Sequence, residues 1–250
     1  MKRLVFLLPF LLFLVSCKKD KALEINNPPS LASTNFAVGL LETYSGNFHS
    51  GGIYYPYSSN GVYCFFSNTG IYPVTTGYNI NAGDILLNNF QLKFFEGPNN
   101  FASQYYDTTG NIHCPPATWS VAGGGGIPSF TQIINDSFPV CTNYNLLPAT
   151  VSKSSAFSVP VSGSGADSVT LDLFLSSQNS GLFIAKTVAA TNSNVTFSAN
   201  EIATFYTLDS TGLGGSIRIS YSKNNLQTHG GKLFVFKTTT YYDRDIQRIP

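Results

Sequence analysis

The sequence predicts an all-β protein, two tandem antiparallel β-sandwiches with one short helix, and three observations carry that prediction. No long stretch places apolar residues at i, i+3, i+4 and i+7; short alternating runs dominate instead. Gly, Asn, Pro and Ser punctuate those runs at turn-like intervals. Only 11% of the 250 residues are charged, yet 43% are hydrophobic and 14% aromatic, so the chain holds enough apolar material for a sizeable core and is not a disordered segment.

In the N-terminal half, Ile53 to Tyr57, Val62 to Phe66, Asp84 to Leu87, Leu92 to Phe95, Ser103 to Tyr106 and Trp119 to Val121 read as short strands. Turn signals at Ser59-Asn60-Gly61, Asn68-Thr69-Gly70 and Thr108-Thr109-Gly110 separate them. Gly123 to Gly126 reads as a tight bend, after which Thr131 to Ile134 resumes a strand. The boundary between sandwiches falls in the stretch from Pro139 to Leu147, giving domains over 32–143 and 144–250.

In the C-terminal half, Phe157, Val159 and Val161 alternate around Pro160, which predicts an edge strand because proline cannot donate to a ladder. Val169, Leu171, Leu173 and Leu175 alternate with Thr170, Asp172 and Phe174, so one face of that strand is buried. Ser198 and Glu201 form a capping box flanked by a Phe197–Ile202 staple, predicting a helix over about 199–205 and explaining Glu201 without catalysis. Ile217, Ile219 and Tyr221 alternate with an outward Arg218, and Leu233 to Phe236 is apolar on both faces, as a strand central in a sandwich or lying against a second domain would be. Spacing of this kind suits immunoglobulin/fibronectin III-like sandwiches rather than alternating β and α units.

The N-terminus reads as an export address. Lys2 and Arg3 precede an apolar run from Leu4 to Val15. About twelve residues make a helix of only ~18 Å, too short for ~30 Å of hydrocarbon, so the run fits a signal peptide and not a membrane span. Leu14-Val15-Ser16-Cys17 resembles the lipobox of bacterial lipoproteins. That resemblance implies cleavage before Cys17, acylation of Cys17 and a membrane anchor, since two or more acyl chains hold durably. Residues 18–31, with Lys18, Lys19 and Lys21 before Asn26-Asn27-Pro28-Pro29, form a solvated tether. Lys18 stands where lipoproteins retained at the inner membrane often carry Asp, which favours the outer membrane.

Five further segments extend the resemblance. Trp119-Ser120-Val121-Ala122-Gly123, Ile127-Pro128-Ser129-Phe130, Ser168-Val169-Thr170-Leu171, Val195 to Ile202 and Gly231-Lys232-Leu233-Phe234-Val235 together resemble uncharacterised lipoproteins of Bacteroidetes-type bacteria over most of residues 82–250. The resemblance implies export and sandwich architecture and transfers no catalytic residues. Asp107-Thr108-Thr109, Asp167-Ser168-Val169 and Asp209-Ser210-Thr211 look like the O-glycosylation acceptor pattern of such exported proteins, a short pattern common in any Ser/Thr-rich chain.

Chemistry-bearing residues are scarce. A net charge of +1 supplies no field for nucleic acid. Of the remaining cysteines, a Cys114–Cys141 disulfide would close a loop of about 26 residues, worth on the order of 3 kcal/mol; Cys64–Cys114 is an equally open pairing. Mid-strand Cys64 also suits a buried apolar position. His113 beside Cys114 lacks the spacing of a metal set, and Asp243 and Asp245 around Arg244 share a strand face that suits a solvated edge better than calcium. Asp84, Glu96 and Asp107 are carboxylates whose convergence spacing cannot decide. No nucleophile elbow, zinc motif, phosphate loop or dinucleotide loop is present, so no catalytic, cofactor or metal residue is assigned and no cofactor is expected.

Tyrosines are the remaining signal. Tyr54, Tyr55, Tyr57, Tyr63, Tyr72, Tyr78, Tyr105, Tyr106, Tyr241 and Tyr242 sit among Asn and Ser, and flat rings with hydroxyl edges suit sugars without any charge. Adjacent pairs such as Tyr54-Tyr55 must send one ring to each side, so half of these rings belong to cores. The expectation is a lipid-anchored, non-enzymatic envelope module that binds a glycan or another surface protein, with a polysaccharide- or peptidoglycan-acting hydrolase and a purely structural component as alternatives.

Overall fold

The computed structural model describes residues 37–50, 53–67, 80–96, 104–107, 112–176, 181–207 and 215–249. The lipobox, the tether and the Asn68-Thr69-Gly70 and Thr108-Thr109-Gly110 turns lie outside them. The described chain is all-β with one α-helix. Its strands are β1 (Gly39–Ser50), β2 (Ile53–Phe66), β3 (Ile85–Leu87), β4 (Phe90–Gln91), β5 (Lys93–Phe95), β6 (Gln104–Tyr106), β7 (Ala117–Val121), β8 (Phe130–Ile134), β9 (Val140–Cys141), β10 (Thr150–Ser152), β11 (Phe157–Pro160), β12 (Gly163–Ser164), β13 (Ser168–Ser176), β14 (Gly181–Ala189), β15 (Asn194–Phe197), β16 (Gly215–His229) and β17 (Lys232–Ile249). Helix α1 (Ala199–Thr207) precedes β16.

A nine-stranded sheet dominates, in the order β14-β13-β16-β17-β1-β2-β6-β5, with β10 also paired to β17. Its axis is β17, the longest strand at 18 residues. On one side β17 runs antiparallel to β16, from Gly215↔Ile246 to His229↔Lys232. On the other it runs parallel to β1, from Gly39↔Phe234 to His49↔Arg244. This sheet joins the two ends of the described chain and draws strands from both sides of residue 143.

Period-two alternation sorts its side chains. Phe234, Phe236 and Ile246 of β17 are an even number of residues apart and so point the same way. Phe234 and Phe236 enter a core with Leu41, Cys64 and Phe66 against Ile85, Leu87 and Trp119 of a four-stranded sheet, β4-β3-β7-β8. Ile246 enters a second core with Val169, Leu171, Leu173, Ile217 and Ile219 against Val159, Val195 and Phe197 of the β11–β15 pair and Ile202 and Phe205 of α1. Both cores thus lie on one face of the long sheet. At ~3.3 Å per residue β17 reaches about 60 Å, enough to underlie both. Each core draws on both sides of residue 143: Phe234 and Phe236 of β17 enter the first, and Cys141 of β9 enters the second.

Several local expectations meet the structure directly. β13 buries Val169, Leu171 and Leu173 as its alternation requires. β11, with Pro160 at its end, pairs with β15 and with no other strand among the described residues. Gly124 and Ile127 exchange backbone hydrogen bonds of 3.1 and 2.9 Å across the glycine bend, with Gly123, Gly125 and Gly126 at positive φ. In the capping box the Ser198 N–H donates to Glu201 Oε2 at 2.7 Å and the Glu201 N–H donates to Ser198 Oγ at 3.2 Å. Lys186 Nζ reaches the same carboxylate at 2.9 Å.

Two expectations are corrected. The turn expected at Ser59-Asn60-Gly61 is absent: β2 continues unbroken, with Gly61 opposite Tyr44. A Cβ on Gly61 would lie 1.9 Å from Tyr44 Cζ, so this glycine makes room for a ring rather than bending the chain. Cys64, Cys114 and Cys141 are free thiols, and neither expected disulfide is formed. Cys64 and Cys114 pack with the first core, Cys141 with the second, so the Cys114 and Cys141 thiols belong to different cores.

Candidate functional site

The long sheet's other face carries the polar half of every alternating strand. Along β17, Lys237, Thr239, Tyr241 and Asp243 point away from the cores; β16 adds Arg218, Ser220 and Ser222, and β13 adds Thr170 and Asp172. β1 contributes Glu42 and Tyr44, and β2 contributes Tyr63. All of these side chains but Asp243 line a cavity of ≈ 490 Å³. Beyond one end of this polar surface lies a small apolar patch of Ala37, Leu40, Phe65 and Val235.

Two glycines let the tyrosines lie flat. The Tyr44 ring covers Gly61, and the Tyr241 ring covers Gly46, where a Cβ would come within 2.2 Å of Tyr241 Cζ. The Tyr44 centroid is 5.8 Å from that of Tyr241 and 6.3 Å from that of Tyr63. This is the cross-strand covering of glycine by aromatic rings that stiffens a sheet face. Burial, with the neighbouring Tyr241 and Glu42, raises the Tyr44 phenol above its ordinary pKa, so it remains a neutral donor.

Glu42 is buried, yet both its oxygens are used. Oε1 accepts from Thr239 Oγ1 at 2.5 Å and faces Lys237 Nζ at 3.3 Å, while Oε2 accepts from the Tyr63 hydroxyl. A buried carboxylate is tolerated when its lone pairs are satisfied in this way. Arg218 is a second fixed charge. Its Nε and Nη2 donate to the two oxygens of Asp243 at 2.6 and 2.7 Å, and its Cζ lies 4.2 Å from the Tyr241 ring centroid. The fork to Asp243 raises the guanidinium pKa further.

Asp172 differs from both. It lies directly across from Arg218, which in turn lies across from Asp243, so the three form one row over β13, β16 and β17. Arg218 grips Asp243, and Asp172 accepts no hydrogen bond and forms no ion pair among the described residues. Desolvation pushes its carboxyl up to about 6, against the partial opposing pull of Arg218 and Lys237.

Of the tyrosines singled out from sequence, the structure places Tyr63 and Tyr241 on this face. Tyr105 is buried in the first core, where its hydroxyl accepts from the Ala82 N–H at 2.8 Å. Tyr242 turns inward and stacks on Tyr144 at 4.5 Å. The side chains of Tyr54, Tyr55 and Tyr57, and all of Tyr72 and Tyr78, lie outside the described residues. Sequence reasoning passed over Tyr44, Glu42 and Lys237. Polar alternation on β13 and β16 pointed to Asp172 and Arg218, but nothing in it named their neighbours.

The other candidates disperse. Asp243 and Asp245 share a face of β17, but that strand is interior to the sheet and Asp243 is held by Arg218. His113 is exposed, Cys114 half-buried with its thiol pushed up to about 11 by desolvation, and no group of three metal-binding side chains occurs among the described residues. Asp84 lines a separate groove of ≈ 470 Å³ with Asn81, Gln91, Lys93 and Tyr105, without Glu96 or Asp107. Ser168, the central acceptor candidate, is buried, and Thr108, Thr109, Ser210 and Thr211 lie outside the described residues. No helix among the described residues is long and apolar enough to cross a membrane. Compared with family models, curated proteins and solved structures, the chain matches none.

Proposed function

We propose that this chain is a lipid-anchored envelope protein, held in the outer membrane through Cys17, whose outer sheet face binds a glycan without chemical turnover. The observation that carries the reading is a ≈ 490 Å³ cavity lined by three tyrosines and by Thr170, Ser220, Ser222 and Thr239, in which Lys237 faces Glu42 and Arg218 faces Asp243. These two pairings leave Asp172 as the one unpaired charge in the lining, so the field for an anionic ligand is weak, whereas rings and hydroxyls match the apolar faces and hydroxyls of a sugar. In the same proposal, the two cores correspond to the expected immunoglobulin/fibronectin III-like pair, arranged as two sandwich lobes that share one long sheet.

The expected result is that the full-length protein, purified in detergent, retains one class of oligosaccharide on a glycan array, and that Tyr44→Ala abolishes the signal. An array with no retained glycan overturns glycan binding and leaves another envelope protein as the partner class. The anchor is tested separately: labelled palmitate enters the wild-type chain and not Cys17→Ala. Equal labelling of both removes the anchor and the localisation with it.

One observation favours the hydrolase alternative: Asp172, with its raised pKa, and Asp243 are carboxylates on one face, two strand spacings or about 10 Å apart. Against it, both Asp243 oxygens are occupied by Arg218, leaving no free general base. Release of reducing ends from a retained oligosaccharide, lost in Asp172→Asn, would favour the hydrolase over the binding module.

A further inference from the structure

The row Asp172–Arg218–Asp243 borders a second concavity of ≈ 510 Å³, lined also by Phe174 and Ser216. Phe174 is a large apolar residue left 42% exposed in a strand whose inward Val169, Leu171 and Leu173 are fully buried. Beside it stands Asp172, half-buried and without a hydrogen-bond partner, although the sheet offers it a guanidinium directly opposite. The fold has directed that guanidinium elsewhere: Tyr241 lies beneath it and Asp243 takes Nε and Nη2. Fixed in this fork, Arg218 keeps its Nη1 hydrogens for another acceptor.

We infer that Asp172, Arg218 and Phe174 form a subsite for one residue of a neutral oligosaccharide, with Asp172 accepting from one hydroxyl, Arg218 donating to its neighbour and Phe174 stacking on the apolar ring face. This rests on the glycan-binding reading and adds its polar selectivity. An acceptor-only carboxylate beside a donor-only guanidinium is the complement of two adjacent hydroxyls, one donating and one accepting. An unpaired carboxylate disfavours anionic sugars at this point, because Arg218 is already neutralised by Asp243. The pattern also accounts for a cost. A carboxylate that burial disfavours and no protein group satisfies is unexplained by folding, and such groups concentrate where a ligand supplies the missing partner.

The groups that face Asp172 are Arg218 and Ser216 on β16 and Lys237, Tyr241 and Asp243 on β17, while β14 places Ala185 opposite it. With its carboxyl at about 6, acidification should neutralise the Asp172 acceptor while the Arg218 guanidinium stays protonated throughout.

The test is titration calorimetry of the full-length protein in detergent with maltohexaose, cellohexaose, xylohexaose and mannohexaose, at about pH 7.5 and about pH 5. One of these neutral probes is expected to bind. Its affinity should fall about tenfold at the lower pH, following the ionised fraction of a group near 6. Asp172→Asn should weaken binding at the higher pH by tenfold or more and flatten the pH profile, and Phe174→Ala should weaken binding comparably. A thermal melt of Asp172→Asn no lower than wild type excludes misfolding as the cause. Unchanged affinity in Asp172→Asn, with Tyr44→Ala still abolishing binding, overturns the subsite and leaves glycan binding standing. Failure of wild type to bind any neutral probe while the array retains a charged glycan overturns the assigned ligand class alone, and failure of both measurements overturns the two readings together.

Discussion

Asp172→Asn should make this protein more stable near neutral pH. The wild-type carboxylate is raised from 3.8 to about 6, chiefly by burial. A rise of about two pKa units at ~1.36 kcal/mol each puts the ionised folded state about 3 kcal/mol above where an unperturbed group would leave it. Local relaxation and partial solvent access reduce that to about 1–3 kcal/mol. The folded state holds the proton more tightly than the unfolded chain, so the stabilising effect of protonation is complete below about pH 4 and is lost as pH rises through about 6. Asparagine keeps the shape, removes the charge and should recover the loss. Urea unfolding of both proteins at about pH 8 and about pH 4.5 measures this. The variant should lead by about 1–3 kcal/mol at the higher pH, with the gap cut to roughly a third at the lower. A variant less stable than wild type at about pH 8 would refute the reasoning, because attraction to Arg218 and Lys237 would then outweigh desolvation. A gap that ignores pH would refute it as well.

Further substitutions probe the candidate face at Gly61 and the α1 cap behind the sheet. Gly61→Ala would put a Cβ 1.9 Å from Tyr44 Cζ, so the ring must leave the sheet; a loss of about 1–3 kcal/mol in chemical denaturation is expected, with weaker glycan retention. Unchanged stability would mean that Tyr44 does not rest on this glycine. Ser198→Ala removes the acceptor for the Glu201 N–H and should cost about 1 kcal/mol, while a compensating Lys186→Met should not restore it, because Lys186 donates to the Glu201 carboxylate and the Thr196 carbonyl and leaves the Glu201 N–H without an acceptor. Urea titration of the two variants and their combination checks both statements.

The readable parts of the fold were those written within a few residues. The buried set on β13, the outward Arg218 and the two-sided apolar run at Leu233 to Phe236 all follow from the period of two. The capping box followed from side chains three positions apart. Gly61 misled because glycine serves two ends: it permits a turn, and it clears space for a ring from the next strand. Only the partner Tyr44, 17 residues earlier and across a strand pair, decides between them.

The candidate face was less legible than the cores. Sequence by itself determined that this chain is all-β, where its helix starts, which side of each alternating strand is apolar, and that charges are too few to supply a strong field. Alternation names a side chain's face but never the strand beside it. Tertiary structure alone paired β1 with β17, setting Glu42 against Lys237 across 195 positions of chain, and laid tyrosines over Gly46 and Gly61. It also decided the competition for Arg218: two carboxylates flank one guanidinium, and the fork closes on Asp243. Asp172 is left unpaired by that geometry, which depends on strand register and therefore on the whole sheet.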